Sequence, residues 1–173
     1  MNRPEAVAVV VLAILLAWGL MFIGWKRRQA RQSGIAPLPA VPPGVAERAR
    51  AAGVEGSYVS TTMARDLLDR VTAHGLGAGG VAHVLVSDGG SGDEAGVMVA
   101  RSGAPDVFIP SSALADVRVE SMRAGKAAPH GLVVVEWRLG ELSVATAFRP
   151  RDPRDREALL QSVQALIARQ DAA

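Results

Sequence analysis

The sequence predicts an N-terminal transmembrane helix followed by a mainly-β domain of seven short strands, which a C-terminal α-helix closes. Three observations carry this prediction. An uncharged run over residues 6–25 has the length of a membrane-spanning helix. Beyond residue 47 apolar residues recur at alternate positions, which is typical of half-buried strands. After residue 152 they return to helical spacing.

The N-terminal run is expected to be an uncleaved anchor. At ~1.5 Å per residue, a helix over 6–25 crosses the ~30 Å hydrocarbon core. Trp25 stands where an interfacial aromatic residue is expected, and four basic residues follow it: Lys26, Arg27, Arg28 and Arg31. The positive-inside rule then puts residues 1–5 outside and the C-terminal side in the cytoplasm. A cleaved signal peptide is the alternative, but it requires a shorter apolar core and basic residues on its other side.

A basic stem and proline-rich linker are predicted over residues 26–46, between the anchor and a domain at 47–173. The linker prolines favour a semi-extended spacer. Residues 1–46 carry five basic groups and one acid, a net charge of +4, whereas residues 47–173 carry 14 and 16, a net charge of −2. Because the domain lacks a basic excess, no nucleic-acid partner is predicted.

The β-prone segments predict seven strands. They lie at 56–62, 81–86, 96–101, 106–110, 114–122, 131–138 and 141–148. In the fifth, Val117 and Val119 alternate with charged neighbours, which indicates one buried and one solvated face. The last two strands flank Leu139-Gly140, a plausible tight turn.

The chain is predicted to end in an amphipathic helix. Asp152 is a suitable N-cap and Pro153 suits the first helical position. One apolar face follows at spacings of three and four residues: Leu159, Leu160, Val163, Leu166 and Ile167. An isolated helix of this kind is marginal in water, so we expect it to pack on the sheet.

Seven strands followed by one helix resemble a bacterial pleckstrin-homology-like (PH-like) domain. The stretches 58–62, 69–77, 108–110 and 134–137, together with the anchor, are similar to a family of small actinobacterial single-span membrane proteins. Its members are often labelled transporters or export proteins and are encoded near pyrimidine-biosynthesis genes. The resemblance implies a PH-like barrel with a helical cap. A single span cannot line a transport path by itself, so we discount transport.

No catalytic, cofactor-binding or metal-ligating constellation is predicted. The chain has no cysteine, and His74, His83 and His130 lack zinc-type spacing. Residues 75–80 match G-x-G-x-x-G by letter, but a strand follows them where the dinucleotide motif needs a helix, so a flexible loop is expected. The acidic residues of the loop 87–95 do not have the spacing of an EF-hand. The sequence therefore predicts a protein that is not an enzyme.

One basic cluster is a candidate docking patch. It comprises Arg149, Arg151, Arg154 and Arg156. Asp152 and Asp155 are interleaved and cancel part of its field. The cluster is either a solvated helix entrance or a docking surface for an acidic partner or a phosphate.

The function expected from these features is that of a membrane-tethered, non-catalytic scaffold that binds a protein partner at the cytoplasmic face. The alternative is a sensor or accessory protein for a nucleotide or metabolite, linked to pyrimidine metabolism; only the resemblance implies it. Self-association is a further open possibility.

Overall fold

The computed structural model describes residues 11–22, 24, 34–66, 68–90, 94–123 and 125–172. The chain divides into two compact units, Met1–Gly34 and Ile35–Ala173. In the first unit, helix α1 covers residues 11–22 and is exposed throughout. Among the described residues, no helix has both the length and the apolar character needed to cross a membrane. The predicted span over 6–25 is therefore not confirmed, and the topology residues lie outside the described part: Trp25, Lys26, Arg27, Arg28 and Arg31.

The second unit is built on an antiparallel sheet of seven strands in the order β4-β3-β2-β1-β7-β6-β5. The strands are β1 Val54–Met63, β2 Gly80–Ser87, β3 Gly96–Arg101, β4 Val107–Pro110, β5 Leu114–Arg123, β6 Lys126–Leu139 and β7 Leu142–Pro150. Two helices flank them, α2 Val45–Ala52 and α3 Asp155–Asp171. The predicted seven strands and C-terminal helix are confirmed.

The core forms where the inward faces of the strands meet α3. Trp137 is fully buried there, on the same face of β6 as Val133 and Val135. Helix α3 inserts Leu159, Val163 and Leu166 into the same cluster. Burying such side chains is worth roughly 1.5–3 kcal/mol each, so the helix belongs to the fold rather than being appended to it.

The folded unit begins at Ile35, whereas the sequence pattern puts the start of the domain at Glu47. Ile35, Ala36 and Leu38 pack against the core, so the first prolines lie along the barrel instead of forming a free spacer. Helix α2 then covers the outer face of β2–β4 through the side chains Val45, Ala46 and Ala49. The sequence pattern does not predict this helix, because the helix has only eight residues and buries only one side chain larger than alanine.

The described residues at the tip of the β5–β6 hairpin, 121–123 and 125–131, fold over the outer face of the sheet; we call them the strap. Between the pairs Glu120–Leu132 and Met122–Ala127, four residues of β6 stand opposite one residue of β5. This bulge bends the hairpin and includes Gly131 at φ +81°, a conformation that glycine adopts readily. An apolar cluster on the outer face is buried: Val59, Leu132, Val134, Ala145 and Ala147.

Candidate functional site

A chain of hydrogen bonds occupies the barrel interior. Trp137 Nε1 donates to Thr146 Oγ1 at 2.9 Å, and the hydroxyls of Thr146 and Thr61 lie 2.7 Å apart. The Thr61 and Tyr58 hydroxyls are also 2.7 Å apart, and Tyr58 donates to the Leu76 carbonyl at 2.8 Å. Because a carbonyl only accepts, Tyr58 uses its proton there. Thr61 must therefore donate to Tyr58, and Thr146 must donate to Thr61.

The hydroxyls of this interior chain stay uncharged. Burial raises the pKa of Tyr58 to about 12, although the Thr61 hydrogen bond and the charge of Arg101 act in the opposite direction. The Tyr58 hydroxyl therefore stays protonated at neutral pH. An apolar cavity between the strands and α3 measures about 10 Å³, which leaves room for at most one water molecule and is far too small for a metabolite.

The loop between β1 and β2, predicted to be flexible, is held in place. Arg101 lies 4.1 Å from the Tyr58 ring centroid and donates to the carbonyls of Gly75 and Ala78 at 2.9 and 2.6 Å. His74 takes a left-handed conformation at φ 53°, and its Nε2 lies 3.4 Å from the Ile35 carbonyl. The loop directs carbonyl oxygens toward a cation, whereas a phosphate-binding loop directs backbone N–H groups toward an anion.

Within the part of the chain that the structure describes, no group of three or more potential ligand side chains could hold a metal ion. Two of the three histidines have described side chains. His74 contacts backbone, and His83 is half-buried on β2. The side chain of His130 lies outside the described part.

An ion-pair network covers the outer face of β5 and β6. Arg118 contacts Asp116, Glu120 and Glu136 at 2.9, 2.9 and 3.0 Å. Burial alone would lower the pKa of Arg118, but its hydrogen bonds to the three carboxylates raise it. Because three carboxylates surround one guanidinium, this face offers no net positive charge to an anionic ligand.

The four arginines of the predicted docking patch have different environments. Arg149 and Arg154 are exposed. Arg151 is paired with Glu55 at 2.6 Å, and the exposed fractions of the two side chains are 75% and 46%. Arg156 is half-buried, and its guanidinium lies beside Gly131 of the strap. The surface patch consequently has three members rather than four.

The neighbourhood of this patch is an open cleft of about 540 Å³ that mixes both charges. It is lined by Glu55, Arg151, Asp152, Pro153 and Asp155. Asp152, predicted to cap the helix, accepts a hydrogen bond from the Arg154 backbone at 2.9 Å instead, and α3 begins at Asp155. One oxygen of the Asp152 carboxylate is thus engaged in the turn before the helix.

The patch lies at the end of the barrel opposite to the one where the chain enters it. At the entry end, Ile35 contacts His74 and Ala36 adjoins Gly140, the turn between β6 and β7. At the arginine end, Gly56 pairs with Pro150. Strand β1 connects the two ends with ten residues, roughly 30 Å at ~3.3 Å per residue.

A seven-stranded antiparallel β-domain closed by a C-terminal helix, with a filled interior, defines the PH-like class. A family model for bacterial PH domain-like proteins matches residues 35–164, and the chain belongs to this family. The match begins at the residue where the compact unit begins. No curated protein matches the chain. The narrower assignment to membrane-anchored actinobacterial relatives stays a prediction.

Sequence reasoning missed the buried arginines. Arg101 and Arg123 are 5% and 0% exposed, yet both stand at strand ends, where a charge is ordinarily solvated. Several of their partners are distant in sequence: Gly75 and Ala78, which bond Arg101, belong to the β1–β2 loop, and Thr62, which bonds Arg123, belongs to β1. A local pattern contains no signal for such contacts.

Proposed function

We propose that the chain is a membrane-tethered, non-catalytic interaction module whose PH-like domain binds an acidic protein surface at the cytoplasmic face of the membrane. The observation that carries the proposal is the separation of two features along the domain. Its N-terminal entry at Ile35 and its exposed arginines lie at opposite ends of β1. A partner could therefore reach the arginines however close the entry end lies to a bilayer.

The exposed arginines can form ion pairs with a partner protein. Arg149 and Arg154 are exposed, and both members of the Arg151–Glu55 pair are accessible to solvent. An exposed ion pair contributes at most about 1 kcal/mol, so a carboxylate of the partner can replace Glu55 at small cost. Charge complementarity of this kind speeds association. Arg149 and Arg154 supply it, because the carboxylates that line the cleft offset the charge of Arg151.

The tether rests on the sequence. The uncharged run over 6–25 and the basic residues 26–31 are the features of an anchor whose C-terminal side is cytoplasmic. Residues 26–34 separate this run from Ile35. Fully extended at ~3.4 Å per residue, they would hold the domain within about 30 Å of the bilayer.

The filled interior supports a non-catalytic role, because its apolar cavity of about 10 Å³ is too small for a substrate. The interior also disfavours the sensor alternative, because a metabolite would have to bind on the surface loops.

Site-specific photocross-linking of the full chain in native membranes tests the proposal. A photoreactive residue at Pro153, in the arginine end, should yield an adduct of defined mass, and one at Glu141, in the entry end, should not; both positions are exposed. Arg149→Ala with Arg154→Ala should reduce the adduct at least fivefold. Arg65→Ala with Arg138→Ala, which removes two exposed arginines from the entry end, is the matched control.

Absence of an adduct at Pro153, or equal adducts from both positions, would contradict the proposal. So would an adduct that the two arginine substitutions leave unchanged. An electrostatic contact should also weaken as ionic strength rises, because the Debye length shortens.

A further inference from the structure

Strand β5 is one edge of the sheet. In the described part of the chain it pairs with β6 alone, so its other side presents backbone groups without a neighbouring strand. Register irregularities at both ends leave Asp116–Glu120 as the regular part of this edge. An unpaired edge is a template for another strand, and proteins either block it with charge or use it.

The side chains along this edge are self-complementary. They read Asp116, Val117, Arg118, Val119 and Glu120, a pattern of acid, apolar, base, apolar and acid. An antiparallel copy centred on Val119 sets Arg118 opposite the partner's Glu120 and Glu120 opposite the partner's Arg118. It also sets Val119 against the partner's Val119. Cross-strand pairs of opposite charge and of apolar residues both stabilise a sheet.

Exposure and charge select this register over its neighbours. Centring on Arg118 would bring two guanidinium groups together and set Asp116 against the partner's Glu120. Centring on Val117 satisfies the charges, but that side chain is 5% exposed and belongs to the core, whereas Val119 is 41% exposed. The exposed valine lies where the two-fold axis would pass, and isologous dimers require such self-complementarity.

From this charge pattern and the exposure of Val119 we infer that the β5 edge is an interface for a second copy of this chain. The two copies pair antiparallel about Val119 and form a two-fold dimer. The two sheets join into one. Arg118 then shares its ion pairs between its own strand and the partner.

The absence of cysteine in the sequence makes a direct test possible. In an antiparallel pair, opposed residues have Cα atoms ~4.5–5.5 Å apart, which suits a disulfide. With the full chain in detergent and a mild oxidant, Val119→Cys should form a covalent dimer. Ser121→Cys is the matched control, because in this register the two substituted residues are separated by four positions, about 13 Å.

A second variant tests the interface without oxidation. Val119→Lys brings two ammonium groups face to face at an exposed position, so the fold is retained while the dimer dissociates. We expect light scattering to report a dimer for the native chain and at least a tenfold higher dissociation constant for the variant. Arg138→Glu, outside the interface, should not change it.

A native chain that stays monomeric across the concentration series overturns the inference. So does equal cross-linking at positions 119 and 121, which indicates random collision. Both results leave the proposed arginine surface untouched, because that surface is tested through its own adduct.

Discussion

Arg123 of β5 donates a 2.6 Å hydrogen bond to Thr62 of β1, although β6 and β7 lie between these strands in the sheet. Three strand spacings amount to about 14 Å, more than an arginine side chain can reach across a flat sheet. The contact exists because the strap folds back over the outer face. The Arg123 side chain is 0% exposed, and its charge is balanced by two hydrogen bonds to Glu120, at 2.9 and 2.8 Å.

Glu120→Gln is expected to lower the free energy of unfolding by about 3 kcal/mol, because it leaves the Arg123 charge buried without a counterion. Asp116→Asn is the matched control. Its side chain is 56% exposed and also contacts Arg118, so we expect a loss of less than about 1 kcal/mol. Urea denaturation measures both, and equal losses would show that Arg123 does not depend on Glu120.

Acid should weaken the same contact. Burial alone would raise the pKa of Glu120, but its hydrogen bonds to Arg123 and Arg118 lower it. The carboxylate therefore contributes its full stability above the unfolded pKa, near 4.3, and loses it as the pH falls through the lower folded value. The native chain should lose more stability than Glu120→Gln below about pH 4.3; parallel pH profiles would contradict this.

Tyr58 is the only tyrosine in the chain, so absorbance of tyrosinate at 295 nm reports on this residue alone. We expect a pKa of about 12 in the folded chain and an ordinary value near 10 in denaturant. Because the folded pKa is raised, its contribution is complete below pH 10 and is lost as the pH rises toward 12. A folded titration near 10 would show that the hydroxyl is solvated.

Thr146→Val should destabilise the domain by about 2–3 kcal/mol, because it interrupts the interior chain between Trp137 and Thr61. The substitution leaves Trp137 Nε1 without an acceptor and Thr61 without its donor. Thr146→Ser retains the hydroxyl and should recover most of the loss. If valine and serine behave alike in urea denaturation, packing rather than hydrogen bonding decides stability at this position.

Gly56→Ala tests the close approach of β1 to β7. A Cβ at Gly56 would overlap the Arg149 carbonyl and the Phe148 ring, so we expect a loss of about 3 kcal/mol. Gly80→Ala is the control, because its nearest neighbour would be the Ser102 carbonyl at 3.5 Å, an ordinary contact. Thermal unfolding of both variants should differ clearly, and a tolerated Gly56→Ala would mean that the strands can separate there.

Much of the fold follows from local sequence patterns. Strand β3 occurs at the predicted residues 96–101, and the other strands differ by a few residues at their ends, because alternation marks a strand interior better than its limits. Strand β6 begins earlier than predicted, at Lys126, since the strap bulge interrupts its alternation.

The remainder depends on contacts between distant segments. Helix α2 is too short and too rich in alanine to produce a clear apolar face, and tertiary packing on Met98 and Phe108 decides its presence. The β1–β2 loop has a glycine-rich composition that favours flexibility, but Arg101, on another strand, holds it. Of the patch, the sequence could predict the cluster of arginines but not the half-burial of Arg156.

The most direct test of the central claim, a tethered module that works at the cytoplasmic face, is cysteine labelling. Ser112 is exposed, and with no native cysteine Ser112→Cys provides a single thiol. We predict that in membrane-bound full chain a membrane-impermeant maleimide labels it only after the cells are opened. Labelling in intact cells, or recovery of the chain in the soluble fraction, would contradict the account.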